Sequence, residues 1–533
     1  MNSGIKQILA IFRKDARHLW AEIAISLALQ VALVILYPRQ WRVPGAEAVS
    51  SSFGGFATHA GATGQLLVLL LPVSWWVLLA RLVHTERLAG DTQFWITRPY
   101  RWPLLLSAKL LFVAAFVYLP LLIAQSILLG MAGFNPLAHV PGLLFNAFLL
   151  STFLILPLLA LSALTSNIAR MTLTVLGVLL YFAGVSVLAG LVPRLASSPA
   201  LVSGSLFFAL LLCGAGAIIL VQYARRRTRT AWSVLAAMAL LLGSTAFYDI
   251  GQPFVNRAYP PLAENGTAAA QFTYGLNAMS KPVAHGTAHS GFVEVAIPVH
   301  ITGISAGSVV IPAALKVTLD VPGNALWESP WRTTTPEKLL PGSSDTVFRF
   351  AMPRQIYEQF RNAPASLRIT FAVDQAHAVR NTTIALPGSR FEVPGFGMCT
   401  PITGWDGQPI TIGIGCLSPL RQPDLTYITA QWRDNCHSSD SNAQSAITGY
   451  GWAGSLDSAP ADFNLVSVWQ VPMSFTNSWR YSDQLVHMRQ LCPGAPLSFT
   501  TYKLESRTRI DLSVPDFRLP ELSQATQAEY QTR

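Results

Sequence analysis

Seven long apolar runs dominate the first 247 residues, at about Trp20–Tyr37, Gln65–Val83, Leu104–Leu129, Leu143–Leu164, Met171–Leu191, Val202–Tyr223 and Ala231–Phe247. Each approaches the ~20 residues that a helix needs to cross the hydrocarbon core of a bilayer, and the last is the shortest. Charged residues make up 12% of the chain, about half the ~25% of a soluble globular protein. That balance excludes an ordinary soluble enzyme, a disordered chain and a nucleic-acid-binding domain. The stretch before the first run has neither the short apolar core nor the small-residue cleavage site of a signal peptide.

The net charge of +10 is unevenly placed: residues 1–247 hold 17 Lys+Arg and 5 Asp+Glu, whereas residues 248–533 hold 20 and 22. Positive charge between apolar runs is a membrane-orientation signal. One set of connections carries Lys6, Arg13, Lys14 and Arg17; Arg81, Arg87, Arg98 and Arg101; Arg170; and Arg225, Arg226, Arg227 and Arg229. The opposite set carries only Arg39, Arg42 and Arg194, with Lys109 left at a span entrance. This bias predicts a multi-pass protein of the cell (inner) membrane with its N-terminus in the cytoplasm. After seven crossings, everything beyond Phe247 is expected outside.

Beyond that point the sequence changes to short runs with period-2 alternation, punctuated by Pro and Gly: Phe292–His300, Ser308–Leu319, Ser366–Val373, Pro409–Gly415, Leu425–Gln431, Asn464–Gln470 and Leu497–Leu504. They predict a mainly β extracytoplasmic region of one or two sandwich-like domains, with one helix over Met352–Asn362. A division near Pro387–Pro394 gives domains at 248–388 and 389–520, followed by a polar tail at 521–533. Cys399, Cys416, Cys436 and Cys492 all lie beyond that division, while Cys213 sits in an apolar run. Four cysteines in an oxidising compartment predict two disulfides, with three pairings open.

Catalytic and cofactor motifs are sparse. The chain has no Gly-rich phosphate loop ending in Gly-Lys-Ser/Thr, so ATP is not expected to bind to it in that mode. His285 and His289 are four apart, but Gly286 intervenes and no carboxylate is placed as a base. Gly303-Ile304-Ser305-Ala306-Gly307 matches the nucleophile-elbow pattern, which requires a helix directly after it. The residues that follow, Val309 to Pro312, read as strand, so a hairpin turn is expected instead. Neither catalytic, cofactor-binding nor metal-ligating residues are assigned.

The apolar runs carry no Asp, Glu, Lys or Arg near their middles; Glu22, Arg81 and Lys109 are near ends, where they are expected to reach the interface. Ion-coupled carriers keep ionisable groups at the membrane centre, so work is expected to enter from another subunit. Pro72, Pro120 and Pro157 interrupt three runs and predict kinks. Gly184, Gly190, Gly214 and Gly216 predict close helix contacts. Ahead of the first run, Ile5, Ile8, Leu9, Phe12, Ala16 and Leu19 recur at helical spacing among basic residues, predicting an interfacial amphipathic helix over residues 1–19. The connection from His84 to Pro103 is too long and too aromatic for a plain turn. Its Phe94, Trp95 and Trp102 among charges predict a protein-contact surface.

At this connection the sequence resembles the permease subunits of ABC-2 type transporters. Those proteins place an acidic residue, a glycine and a proline with a basic neighbour between their second and third spans, then a lysine at the entrance of the third. Glu86, Gly90, Arg98, Pro99, Arg101 and Lys109 occupy that pattern, and Ile5–Leu19 looks like the family's elbow helix. The resemblance covers about residues 1–223. It implies a six-span ABC-2-like core at 20–223, to which this chain adds a basic loop and seventh span (224–247) and the outer β region. It further implies an export or lipid-handling permease working with a second permease copy or homologue. A separate cytoplasmic ABC ATPase subunit would hold ATP and Mg and contact Glu86, Arg87, Gly90, Phe94, Trp95, Arg98, Pro99 and Arg101. The alternative is a membrane-anchored extracytoplasmic sensor or binding protein that transports nothing.

Overall fold

The computed structural model describes residues 3–41, 59–86, 101–191 and 200–244 of the helical half. In the second half it describes residues 270–275, 283–285, 292–322, 326–329, 331–333, 345–394, 397–403, 411–419, 425–431, 445–450, 468–474 and 492–523. The helical half contains α1 (Ser3–His18), α2 (Trp20–Gln40), α3 (His59–His84), α4 (Trp102–Met131), α5 (Pro136–Leu164), α6 (Ile168–Leu191), α7 (Ala200–Arg225) and α8 (Thr228–Ser244). Among the described residues six of these, α2 to α7, are long and apolar enough to cross a membrane, and they coincide with the first six apolar runs. The chain is thus a multi-pass membrane protein by its helices. The 17-residue α8 packs beside α7, with Met238 against Gly214. Gly184 and Gly216 meet no neighbour within 4 Å, so only part of the expected small-residue packing is used.

Two of the three prolines act on the backbone as their chemistry requires. Proline has no N–H and its ring clashes with the carbonyl four residues back. In α4 the π-helical turn Ala114–Tyr118 stands two residues ahead of Pro120, and in α5 the turn Ser151–Ile155 stands two ahead of Pro157. The wider turn absorbs the lost bond without breaking the helix. The two turns face each other, and the Tyr118 hydroxyl lies 2.5 Å from Ser151 Oγ.

Helix α1 does not lie on lipid alone. Its apolar face closes onto the start of α4: Ile11 is buried, and Phe12 stacks on Phe116 at 5.6 Å and meets Phe112 edge-on at 6.3 Å.

The second half is built of sixteen described strands. The first sheet orders β1 (Gln271–Tyr274), β3 (Phe292–Thr302), β2 (Val283–His285) and β16 (Leu522–Ser523), with β7 (Asp345–Pro353) also on β3. The second orders β13 (Ser445–Tyr450), β12 (Leu425–Gln431), β15 (Pro496–Phe517), β8 (Ala365–Ala385), β4 (Ser308–Asp320) and β5 (Trp327–Glu328), with β6 (Arg332–Thr333) on β4. The third orders β14 (Val468–Ser474), β11 (Thr411–Pro419), β10 (Gly397–Thr403) and β9 (Phe391–Val393).

Strands β8 and β15, of 21 and 22 residues, serve two cores. At one end Ile369, Phe371 and Leu512 pack with Val295, Ile297 and Phe348 of the first sheet. At the other, Ile384 and Phe499 pack with Cys399, Ile414 and Cys416 of the third. Between the cores the buried Asp374 receives two hydrogen bonds from Arg507, at 2.5 and 3.0 Å. Helix α9 (Arg354–Phe360) caps the first core with Tyr357 and Phe360.

The β region rests on the bundle at the turn between α4 and α5. Phe134 of that turn sits against Gly397, where a Cβ would overlap the ring tip and where φ is +101°. Only glycine adopts that backbone readily while leaving the ring its place. Leu417 and Val468 join the same apolar cluster as the bundle.

Candidate functional site

Among the described residues the helical half concentrates its buried charge at one place, where α1, the end of α3 and the start of α4 meet. Asp15, Glu86 and Lys109 are each no more than 2% exposed. Lys109 Nζ donates to Asp15 Oδ2 at 2.8 Å and to the Leu82 carbonyl at 2.9 Å, and lies 3.7 Å from Glu86 Oε1. Lys14 Nζ, at the half-exposed rim, donates to Glu86 Oε1 at 2.6 Å and lies 3.6 Å from Asp15 Oδ1. Two carboxylates thus face two ammonium groups, and the cluster is neutral as a whole.

Local structure explains each position. Asp15 falls midway between Ile11 and Leu19 on the buried face of α1, since residues four apart share a helix face. Leu82 is in the last turn of α3, whose carbonyls have no intrahelical partners. Lys109 therefore satisfies one of them and places its cation at the negative end of the helix dipole. Glu86 follows in the turn beyond α3, its N–H bonded to the Val83 carbonyl.

Two further polar links flank the cluster. Glu22 of α2 pairs with Arg81 of α3, and His84 Nε2 lies 3.3 Å from Thr165 Oγ1 at the end of α5. The buried Tyr223 of α7 is within electrostatic range of both Asp15 and Glu86. Six helices therefore converge on this end of the bundle.

Of the residues expected to form the contact segment, Glu86 is held in the cluster and Arg101 stands apart, exposed at the N-cap of α4. Arg87, Gly90, Phe94, Trp95, Arg98 and Pro99 lie outside the described residues. Lys109 departs from expectation: it turns inward to a buried pair instead of reaching the interface, because Asp15, Glu86 and an orphan carbonyl solvate it there. Asp15 was not expected. Its signal was available, as a lone acid on the apolar stripe of an otherwise basic helix.

In the β region Cys399 and Cys416 face each other across β10 and β11 and form a disulfide. Cys492 is also disulfide-bonded, Cys436 lies outside the described residues, and Cys213 is free. Ser305 sits in a turn whose Gly303 and Gly307 have φ of 78° and 80°. That turn is not the expected hairpin, because β3 and β4 belong to different sheets; it is a corner between them. A strand follows it, so the elbow geometry is not formed. His285 ends β2, and His289 lies outside the described residues.

The bundle, the charge cluster and the β region together define a multi-pass membrane protein with a large disulfide-bonded β portion. No family model, no curated protein and no solved structure matches the chain.

Proposed function

We propose that this chain is the membrane permease subunit of an ATP-driven ABC transporter of the ABC-2 type, working as an exporter with a separate ATPase subunit and a second permease copy. The observation that carries the reading is the buried cluster. It joins Glu86, the first residue of the aromatic connection, to α1 and to Lys109 at the start of the third apolar helix. A displacement of that connection is thereby transmitted to three helices at once, because breaking a buried ion pair by moving one partner away is costly. The pattern residues Glu86 and Lys109 are the ones so joined. ATP and Mg belong to the partner.

On this reading the Arg101 and Arg225 end of the bundle is cytoplasmic and α8 is a seventh span that carries the chain outward. The seating of the β region on the α4–α5 turn, at the far end of α4 from Arg101, agrees with an extracytoplasmic position. That same seating is what favours the second reading, a membrane-anchored sensor, since a ligand-binding domain needs contact with the bundle to signal through it.

The deciding experiment is purification of the tagged full chain from its native membrane in mild detergent. A nucleotide-hydrolysing subunit is expected to co-purify. Its reproducible absence, with the bundle and β region intact, would overturn the transporter reading in favour of the sensor.

A further inference from the structure

We propose that the cleft between the start of α4 and the end of α7 binds the phosphate of an anionic phospholipid headgroup. A cavity of about 560 Å³ opens there, lined by Arg101, Arg225 and Arg226 together with Trp102 and Tyr223. Among the described residues no carboxylate lines it. Arg101 and Arg225 bring like charges to one cavity from two helices, and an anion between them offsets their repulsion. Arginine's planar fork suits the paired oxygens of a phosphate.

The backbone contributes as well. Arg226 has a φ of 51°, uncommon for a residue with a side chain, and this turn puts two consecutive arginines on one wall of the cleft. Arg101 is the N-cap of α4 without a side-chain hydrogen bond to the first turn, so the positive end of that helix adds to the field.

Position selects a lipid over a soluble phosphate. Trp102 opens the apolar stretch Trp102–Met131 and Arg225 closes Phe207–Arg225, so the cleft lies where two spanning helices stop. That is headgroup depth, and the 39% exposed Trp102 is a typical interfacial anchor there. Basic side chains at that depth favour an anionic lipid over a zwitterionic one. The inference rests on the spanning helices and is independent of the proposed ATPase.

The test uses delipidated full-length protein in detergent, titrated with phosphatidylglycerol or phosphatidylcholine and followed by native mass spectrometry. Phosphatidylglycerol is expected to bind about tenfold or more tightly than phosphatidylcholine, because each basic side chain near the surface is worth roughly fivefold. Arg101→Gln with Arg225→Gln should abolish that preference, whereas Arg229→Gln, outside the cleft, should keep it. If the double variant aggregates, Arg225→Gln alone decides, with an expected loss of about fivefold. Equal binding of both lipids, or an unchanged preference in the variant, overturns the proposal. Displacement of the lipid by excess inorganic phosphate would overturn the lipid assignment and leave a soluble-anion site.

Discussion

Lys109 Nζ stands 2.8 Å from Asp15 Oδ2, joining side chains 94 positions apart that are 2% and 1% exposed. This bond fixes the helix that precedes the first spanning segment to the start of the third. Glu86, reached by both Lys109 and the rim residue Lys14, brings in the end of the second. The apolar contacts of Phe12 with Phe112 and Phe116 hold α1 and α4 together over the next turn. Charge supplies the orientation of this junction, and the aromatic rings add apolar contact beside it.

Removing Lys109 should therefore be severe. Lys109→Met keeps the volume of the stem but takes from the buried Asp15 its hydrogen-bond donor and leaves Glu86 with Lys14 at the rim, a loss of about 3–5 kcal/mol. Adding Asp15→Asn and Glu86→Gln should recover much of it, since neutral partners no longer demand a cation. Thermal unfolding in detergent, read for the single and the triple variant, checks both. A single variant as stable as the parent would mean that the cluster is hydrated.

The disulfide between Cys399 and Cys416 closes a separation of 17 residues, and loop-closure entropy makes such a link worth about 3 kcal/mol. Cys399→Ala with Cys416→Ala should lower the melting temperature of the β region and leave the helical bundle unchanged. Circular dichroism separates the two, because the bundle contributes the helical signal. Mass spectrometry without reductant should show Cys399 and Cys416 linked in the parent.

Gly397 and Phe134 give a test of how the β region is seated. Gly397→Ala meets both an unfavourable backbone and the Phe134 ring, and strain of the first kind alone costs about 1–3 kcal/mol. Adding Phe134→Ala should relieve the overlap but not the backbone strain, so the double variant should recover only in part. Limited proteolysis of the β region follows the effect.

How much of this was legible in sequence depends on the range of the signal. Hydropathy is local, and the six long helices and α1 follow from it residue by residue. Strands β3, β4 and β12 follow from alternation in the same way. The remainder of β8, beyond Val373, did not, because the strand turns polar at Asp374 as it passes from one core to the other. Its pairing with β15, as in Phe371 beside Ile510, joins segments too distant for any local pattern to indicate. β7 alternates clearly, yet its end was read as helix because Met352 and Pro353 run straight into α9. The site was half legible: Glu86 and Lys109 stood out through the resemblance. Asp15 did not stand out, because the helical spacing of α1 marks its apolar stripe and gives no weight to a single acid within it.

Orientation is checked by chemistry at opposite ends of the bundle. On the proposed topology a cysteine introduced at Leu137, 80% exposed in the first turn of α5, should react with an impermeant thiol reagent added outside intact cells. A cysteine at Ala224 or Thr97 should be shielded, and one at Thr334 labelled. The opposite pattern would invert the protein and with it the meaning of the basic connections.

Coupling through the segment from Glu86 to Pro103 is the strongest consequence of the proposed function. Phe94 and Trp95 are large apolar groups in a connection otherwise rich in charge, and truncating such anchors commonly costs ~2 kcal/mol or more of binding. Phe94→Ala with Trp95→Ala should leave the bundle and the disulfides intact while releasing the ATPase on co-purification. Glu86→Gln should behave differently. Its carboxylate is sealed against Lys109 and Lys14, so the substitution should loosen the junction with α1 and α4 more than it weakens docking. The ATPase should then remain bound, but its hydrolysis should no longer respond to the state of the permease. Loss of partner in the aromatic variant with loss of response in the Glu86 variant would separate contact from transmission. If both variants retain full stimulated hydrolysis, the segment is a connection and nothing more, and work must enter the bundle elsewhere.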